Sequence, residues 1–367
     1  MAHSREDEMG GDQFGFADQE MTLRLLALSR KDRLLPLNNA IDWEIFRPLL
    51  VKALKKAAKG PGGRPSFDPL LKFKMLVLQR LYDLSNEDLE FQVADRITFR
   101  AFVGLKLEDE VPDANTIWDF REALQKTNAI EKLWGRFMQE LDAKGLVANK
   151  GRIIDAEIVE SERRHLTKDE RDRHDANKEK RQTDIQADGE PVIQNDHRQS
   201  QVDLEADWTK KHGKHYFGYK NTTNVDAASK LILAYTVEPA NIHDSQMFEA
   251  VLDSRRDDTN DIYADKGYAG QKCVTAAVRV GGPWHSRVMH KASAHKKLTD
   301  AQTAENKRWA KTRARVEHVY AWRKYVMGQG RIRTIGKVRA TFTIGFGNLL
   351  YNMYRFVYLS RPQAVVF

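Results

Sequence analysis

"GRIIDAEIVES", Gly151–Ser161, reads as a strand where the chain before it reads as helix, and it decides the fold class. From Ile153 to Val159 its apolar, partly β-branched residues fall on both faces and are interrupted only by Asp155 and Glu157, the pattern of a central strand covered on both sides. An unpaired carboxylate there is costly, so Asp155 calls for a compensating cation. Glu157 shares its face and is a candidate auxiliary ligand.

Upstream, from Ile41 to about Ala148, the periodicity is helical. "DPLLKFKMLVLQRLYDL" sets Leu70, Phe73, Leu76, Val77 and Leu81 on one apolar face, with Pro69 suited to a first helical turn. "SNEDLEFQVADRITFRAFVGL" opens on Ser85 and Asp88, close to a capping box, and carries Arg96 and Arg100 four apart. "PDANTIWDFREALQ" adds a helix capped by Asn115 or Thr116. Short arginine-bearing helices joined by tight turns fit a helix-turn-helix-like DNA-binding module; a helical packing or dimerisation domain is the alternative.

Downstream lies a long polar stretch, about 161–207, with too little apolar surface to offset its ordering entropy. "KHYFGYKNTTNVD" and "KLILAYTVEP", separated by "AAS", predict a hairpin. "NIHDSQMFEAVLDSRR" predicts a helix capped by Asn241 or Asp244, "DIYADKGYAG" a brief strand ending at Asp265, and "SRVMH" another strand. Helices against a mixed sheet follow from that order.

The 367 residues carry a formal charge of +8, which favours an anionic partner, nucleic acid foremost. One cysteine, Cys273, excludes a disulfide framework and a cysteine zinc site within the chain. No apolar run approaches the ~20 residues needed to span a bilayer, and the polar N-terminus lacks a signal pattern, so a soluble, cytoplasmic, nucleoid-associated protein is expected. The eleven histidines include His212 with His215, and His285, His290 and His295, but no cysteine pair accompanies them.

"KTRARVEHVYAWRKYVMGQGRIR", Lys311–Arg333, sets one acid, Glu317, among many bases. A helix from about Ala304 to Met327 is expected, and at ~100° per residue Arg313, Glu317, Tyr320 and Lys324 share one face. That face is either a salt-bridge ladder or a metal-binding carboxylate beside phosphate-binding cations. Phosphoryl transfer on DNA needs hard-oxygen ligands for divalent metal and cations on the polyanion. Asp155, Asp265 and Glu317 are the candidate ligands, provided the two strands are neighbours and the helix crosses them. Arg331, Arg333, Lys337 and Arg339 form a candidate backbone-tracking patch. "WTKKHGKHYFGYK" mixes Lys210, Lys211, Lys214 and Lys220 with Trp208, Tyr216 and Tyr219, either a single-strand platform or, for the aromatics, core.

The ordered series "IIDAEIVES", "KKHGKHYFGYKNTTNVDAASKLILAYTVEPANIHDS", "IYADKGYAG" and "RARVEHVYAWRK" resembles the bacterial insertion-sequence DDE transposases, particularly the insertion sequence five group, over roughly residues 150–356. The segment from Asp68 to Leu105 looks like the accompanying N-terminal domain. The resemblance implies an α/β, RNase H-like catalytic core, a mixed central sheet flanked by helices, at 149–360 with the polar insert inside it. It is preceded by an all-helical DNA-binding or dimerisation domain at 41–148 and by a partly ordered tail at 1–40, with a short tail at 361–367. It implies catalytic acids at Asp155, Asp265 and Glu317 holding Mg²⁺, for which Mn²⁺ can substitute. It also implies phosphate contacts from Arg313 and Lys324, double-stranded DNA at the element ends and target, and a homodimer on DNA. The family's tyrosine before the arginine falls at position 310, which is Ala310 here, with Trp309 and Tyr320 the nearby substitutes. A nuclease of the same fold that cuts without joining, and a non-catalytic basic DNA-binding protein, remain as alternatives.

Overall fold

The computed structural model describes residues 16–28, 31–54, 66–167, 169–170, 172, 201–252, 258–280, 284–292 and 297–361. The chain forms two compact units, Met1–Gln79 with Leu84–Ala123, and Arg80–Asp83 with Leu124–Phe367. The polar insert expected at 161–207 lies, between 173 and 200, outside the described residues, as does the tail beyond Arg361.

The first unit is helical: α1 (Phe16–Leu28), α2 (Leu34–Ala40), a 3₁₀ turn at Trp43–Phe46, α3 (Arg47–Leu54), most of α4 (Pro69–Tyr82), α5 (Asn86–Asp95), α6 (Ile97–Val103) and most of α7 (Ala114–Lys126). α4 starts at Pro69 as predicted but buries Met75 and Leu78 besides the expected face, so it runs through the middle of its unit. Trp43 packs edge-on against Phe102 at 5.6 Å, and Phe46 meets Phe73 at 5.2 Å. Ser85 caps α5 through the Asp88 N–H at 2.9 Å. The cap of α7 is Asp113, whose carboxylate accepts from the Thr116 N–H at 2.7 Å, and not Asn115 or Thr116, because the helix begins at Ala114.

The second unit opens with α8 (Ala129–Ala143), which buries Leu133, Phe137 and Leu141 along one stripe. Then follow β1 (Arg152–Ser161), β2 (Asp207–Lys211), β3 (Lys214–Asp226), β4 (Ile232–Pro239), α9 (Asp244–Val251), β5 (Asp261–Ala264), α10 (Gln271–Arg279), β6 (His285–Val288), α11 (Asp300–Ala321), β7 (Arg331–Ile332) and α12 (Lys337–Leu359). Among the described residues the sheet has seven strands. Its main path runs β4-β3-β1-β5-β6, with β3 antiparallel to both β4 and β1, and β5 and β6 parallel to β1. β2 pairs with the first part of β3, and β7 with the end of β1. The strands predicted at 151–161, 214–226 and 230–239 are present at 152–161, 214–226 and 232–239; the one expected to end at Asp265 spans Asp261–Ala264, and the one expected at 286–290 spans His285–Val288. The cap of α9 is His243, whose Nδ1 accepts from the Ser245 N–H at 3.2 Å, rather than Asn241 or Asp244.

Alternation along β1 assigns the two cores. Ile154 joins Ile262, Ala264, Phe248, Val251 and Cys273 on the face covered by α9 and α10. Val159 joins Tyr219, Val237, Ala340 and Ile344 on the face covered by α12. A mixed sheet with an antiparallel meander followed by parallel strands, helices on both faces and a helical region before it is an RNase H-like architecture.

β3 changes partner from β2 to β1 at Gly218, which has φ +154°. A Cβ there would lie 2.2 Å from the Val159 carbonyl oxygen and 2.8 Å from the Ser161 nitrogen, both backbone. Gly218→Ala is therefore expected to cost about 1–3 kcal/mol, read as a lowered urea midpoint with an unchanged slope. An unchanged midpoint would show that the strand accommodates a side chain at the crossing.

Candidate active site

The parallel register of β1 on β5 pairs Arg152 with Ile262, Ile153 with Tyr263 and Ile154 with Ala264. The offset is constant, 262 − 152 = 110, and the next step in that register is Asp155 opposite Asp265. Neighbouring strands lie ~4.8 Å apart, so two carboxylates separated by 110 positions emerge side by side at the strand ends. Asp265 also opens the 3₁₀ turn Lys266–Tyr268, its Oδ1 accepting from the Lys266 N–H at 2.7 Å. The cation that this pair demands is Arg313. Its Nη2 is 3.6 Å from Asp155 Oδ2 and its Nη1 3.7 Å from Asp265 Oδ1. Burial pushes the Asp155 carboxyl above the usual carboxylate range, and Arg313 opposes that shift most strongly. Lys211, exposed on the β2–β3 hairpin, opposes it as well, whereas the Asp265 charge adds to it.

Arg313 is delivered by α11, which Thr299 and Gln302 start with a capping box. The helix buries Trp309, Val316 and Val319, and turns Tyr320 inward. The Tyr320 hydroxyl donates to the Asp155 carbonyl at 2.8 Å and is 2.8 Å from Thr223 Oγ1. It thereby ties the helix to β1 at the acidic residue itself. Neither expected substitute for the missing tyrosine at Ala310 faces outward: Tyr320 makes these contacts, and Trp309 is buried with its ring 5.1 Å from that of His290.

Glu317, one turn beyond Arg313, is exposed at the rim of the helix's inner face. Among the described residues no three acids or other ligands stand close enough to hold a metal ion. The structure thus brings Asp155 and Asp265 together on one cation and leaves Glu317 a turn of helix away. The donor chemistry fits a hard divalent ion: two carboxylates from adjacent strands already share a cation, and a third acid lies on the same helix as that cation.

α11 does not continue to Met327 as expected. At Trp322–Val326 the backbone widens into a π turn, so the 100° count no longer fixes the direction of Lys324. Within this turn Arg323 is fully buried and its Nη1 donates to Glu157 Oε2, while Lys324 and Tyr325 are exposed. Glu157 is therefore the partner of a buried arginine rather than a free auxiliary ligand. Burial raises its pKa, with Arg323, Lys324 and an Asn221 hydrogen bond opposing. Arg80 is close enough to feel both groups. Burial, then the Arg323 charge, lowers its pKa to about 10. Arg323 and Arg80 were absent from the sequence expectations, although Arg323 falls on the same helical stripe as Val316 and Val319.

The remaining basic residues are spread over both units. Lys210, Lys211 and Lys214 are exposed around the Lys211–Lys214 hairpin turn, where His212 and Gly213 take positive φ. Of the aromatics beside them, Tyr219 is buried and donates to both Asp203 oxygens at 2.9 Å, and Trp208 packs on Phe217 at 5.3 Å. Lys220 donates to Asp244 at 2.7 Å. The patch after the π turn is laced with acids: Arg331 and Arg333 meet Glu162 at 3.4 and 2.9 Å, and Lys337 meets Glu238 at 2.6 Å. Arg339 is exposed near the start of α12. In the helical unit Arg96 is exposed with its guanidinium 5.0 Å from the Phe99 ring centre. Arg100 is buried and donates to the Lys106, Leu107 and Asp109 carbonyls, so it braces the loop after α6 and is not presented to DNA.

No helix of the described residues is long and apolar enough to cross a membrane. Residues 24–123 match the family model described as Transposase domain (DUF772), and no solved structure matches the chain. Residues 149–353, more than half of the chain and including Asp155, Asp265, Arg313 and Glu317, match the model described as Transposase DDE domain. With its acids at the ends of adjacent parallel strands in an RNase H-like sheet, this chain belongs to the insertion-sequence DDE transposase family.

Proposed function

We propose that the protein binds the terminal inverted repeats of an insertion sequence of the insertion sequence five group, cleaves DNA at each end and joins the exposed 3′-hydroxyl ends to target DNA. The observation that carries this reading is the β1–β5 register, which sets Asp155 beside Asp265 with Arg313 across both. Magnesium, or manganese in its place, would be held by Asp155, Asp265 and Glu317 and supply the charge neutralisation that in-line displacement at phosphorus needs. Arg313 and Lys324 hold the scissile phosphate in register, with Lys210, Lys211 and Lys214 on the flanking backbone. Tyr320 holds the backbone of Asp155 against the helix that carries Arg313, which keeps the acid and the cation in register. Arg339 contributes as well, and Arg331, Arg333 and Lys337 do so as far as DNA phosphates displace their present acidic partners. The helical region at 41–148, with Arg96 on its surface, binds the ends and pairs two copies of the chain. The work is done in the cytoplasm, at the nucleoid.

The test is incubation of the full chain with a labelled duplex of the DNA flanking its gene, Mg²⁺ and a target plasmid. Nicked ends and joined plasmid are expected from the wild type, with both lost in Asp265→Asn and Glu317→Gln. Cleavage without joining would identify a nuclease. DNA binding with products unaffected by these substitutions would identify a non-catalytic DNA-binding protein.

A further inference from the structure

Two carboxylates that converge at adjacent strand ends repel one another, and the fold answers this with the side chain of Arg313. The guanidinium faces both acids, yet neither contact, at 3.6 and 3.7 Å, is a hydrogen bond. Its Nη1 instead lies 3.2 Å from Met289 Sδ, a weak acceptor, and its Nε is buried without a partner. A guanidinium meeting two acids this loosely neutralises charge without being locked in place. The same oxygens, Asp155 Oδ2 and Asp265 Oδ1, are those a divalent ion would take at ~2.0–2.1 Å. A metal ion and the guanidinium cannot both occupy that position.

We propose that Arg313 is a resident stand-in for the metal, holding Asp155 and Asp265 together until DNA arrives and then leaving them for a phosphate. This rests on the metal-dependent reading above and extends it from composition to order of assembly. DNA phosphate offers Arg313 paired oxygens at hydrogen-bonding distance, a stronger charge-assisted contact than the one it gives up. Once it moves, the acids regain an uncompensated charge that only a cation relieves. DNA and metal therefore bind with positive cooperativity, each favouring the other by the same factor. The site is charged for cleavage only when there is DNA to cleave.

The experiment is a Mn²⁺ titration of the full chain, with free Mn²⁺ read by electron paramagnetic resonance, with and without a short DNA duplex. Without DNA, Arg313→Gln is expected to bind Mn²⁺ about tenfold more tightly than the wild type, within the usual range of coupling between sites. With the duplex the wild type gains a similar factor and the variant gains much less. Arg313→Lys keeps the charge on a single nitrogen that cannot span both acids, and is expected to fall between the two. It serves as the folded comparison if Arg313→Gln melts early by circular dichroism. Equal or weaker Mn²⁺ binding by both variants without DNA overturns the proposal, as does an equal response to the duplex in variant and wild type. Asp155→Asn separates the two levels: if it binds Mn²⁺ as the wild type does, the acids hold no ion, and the metal-dependent reading fails together with this one.

Discussion

Asp155→Asn is expected to remove end cleavage by about a thousandfold or more, several kcal/mol of lost transition-state stabilisation, while making the metal-free protein more stable at neutral pH. The two effects have one origin. Burial and the neighbouring Asp265 raise the Asp155 pKa in the fold above its unfolded value, with Arg313 only partly compensating. Between the unfolded value and the raised one the native state binds more protons than the unfolded chain, so stability falls as pH rises through that window. Above it the carboxylate is ionised in both states and the full penalty remains. Asparagine keeps the shape, carries no charge and escapes the penalty. Thermal melts at a series of pH values without metal should show the variant gaining on the wild type through that window and holding its advantage beyond it. Magnesium should then reverse the order, because a ligand bound only by the native state stabilises the wild type and finds no site in the variant. If the variant is less stable than the wild type at every pH in the absence of metal, Asp155 is a structural residue and not an acid held in reserve for a cation.

The sequence carried the central strand because apolar residues on both faces of Gly151–Ser161 admit few other readings, and Asp155 stood out as an unexplained charge within it. Its neighbour was not legible. The offset of 110 between β1 and β5 depends on an insert, a hairpin and a helix that return the chain to the sheet edge, and no local pattern encodes that return. α11 was read correctly as far as Tyr320, where α-helical phase holds. Its continuation as α-helix to Met327 was misread because a π turn leaves no mark in periodicity until the burial of Arg323 is known. Caps failed in a consistent way. At α7 and α9 the helix starts later or earlier than the strongest capping residue suggests, so Asp113 and His243 act in place of the expected side chains. Arg100 shows the limit of reading charge as surface. Its neighbours Phe99 and Phe102 are buried, and the guanidinium follows them in because three loop carbonyls wait there.

Arg323→Leu is expected to be the most destabilising single change on the inner face of the second unit, at about 3–5 kcal/mol, the cost of leaving a buried charge without its partner. Glu157 lies beneath the π turn with its carboxylate on Arg323, and both side chains are buried. Its pKa, already raised by burial, should rise further when the arginine is lost, so the variant's deficit is largest at neutral pH and shrinks as the medium is acidified toward the carboxylate range. The converse change, Glu157→Leu, leaves Arg323 without its carboxylate and beside the Arg80 charge, which Asp83 only partly offsets, and should be damaging at every pH below the arginine range. The double variant removes both charges of the pair and is expected to recover much of either loss, a coupling that a double-mutant cycle of urea unfolding measures directly. The consequence for function runs through Lys324. The π turn inserts Arg323 into the protein while keeping the next residue outside, so the buried pair is what aims Lys324 at the DNA. The double variant should fold and bind metal yet hold end DNA more weakly than the wild type. Full DNA affinity in that variant would mean that the π turn keeps its shape without the pair, and that Lys324 needs no such anchor.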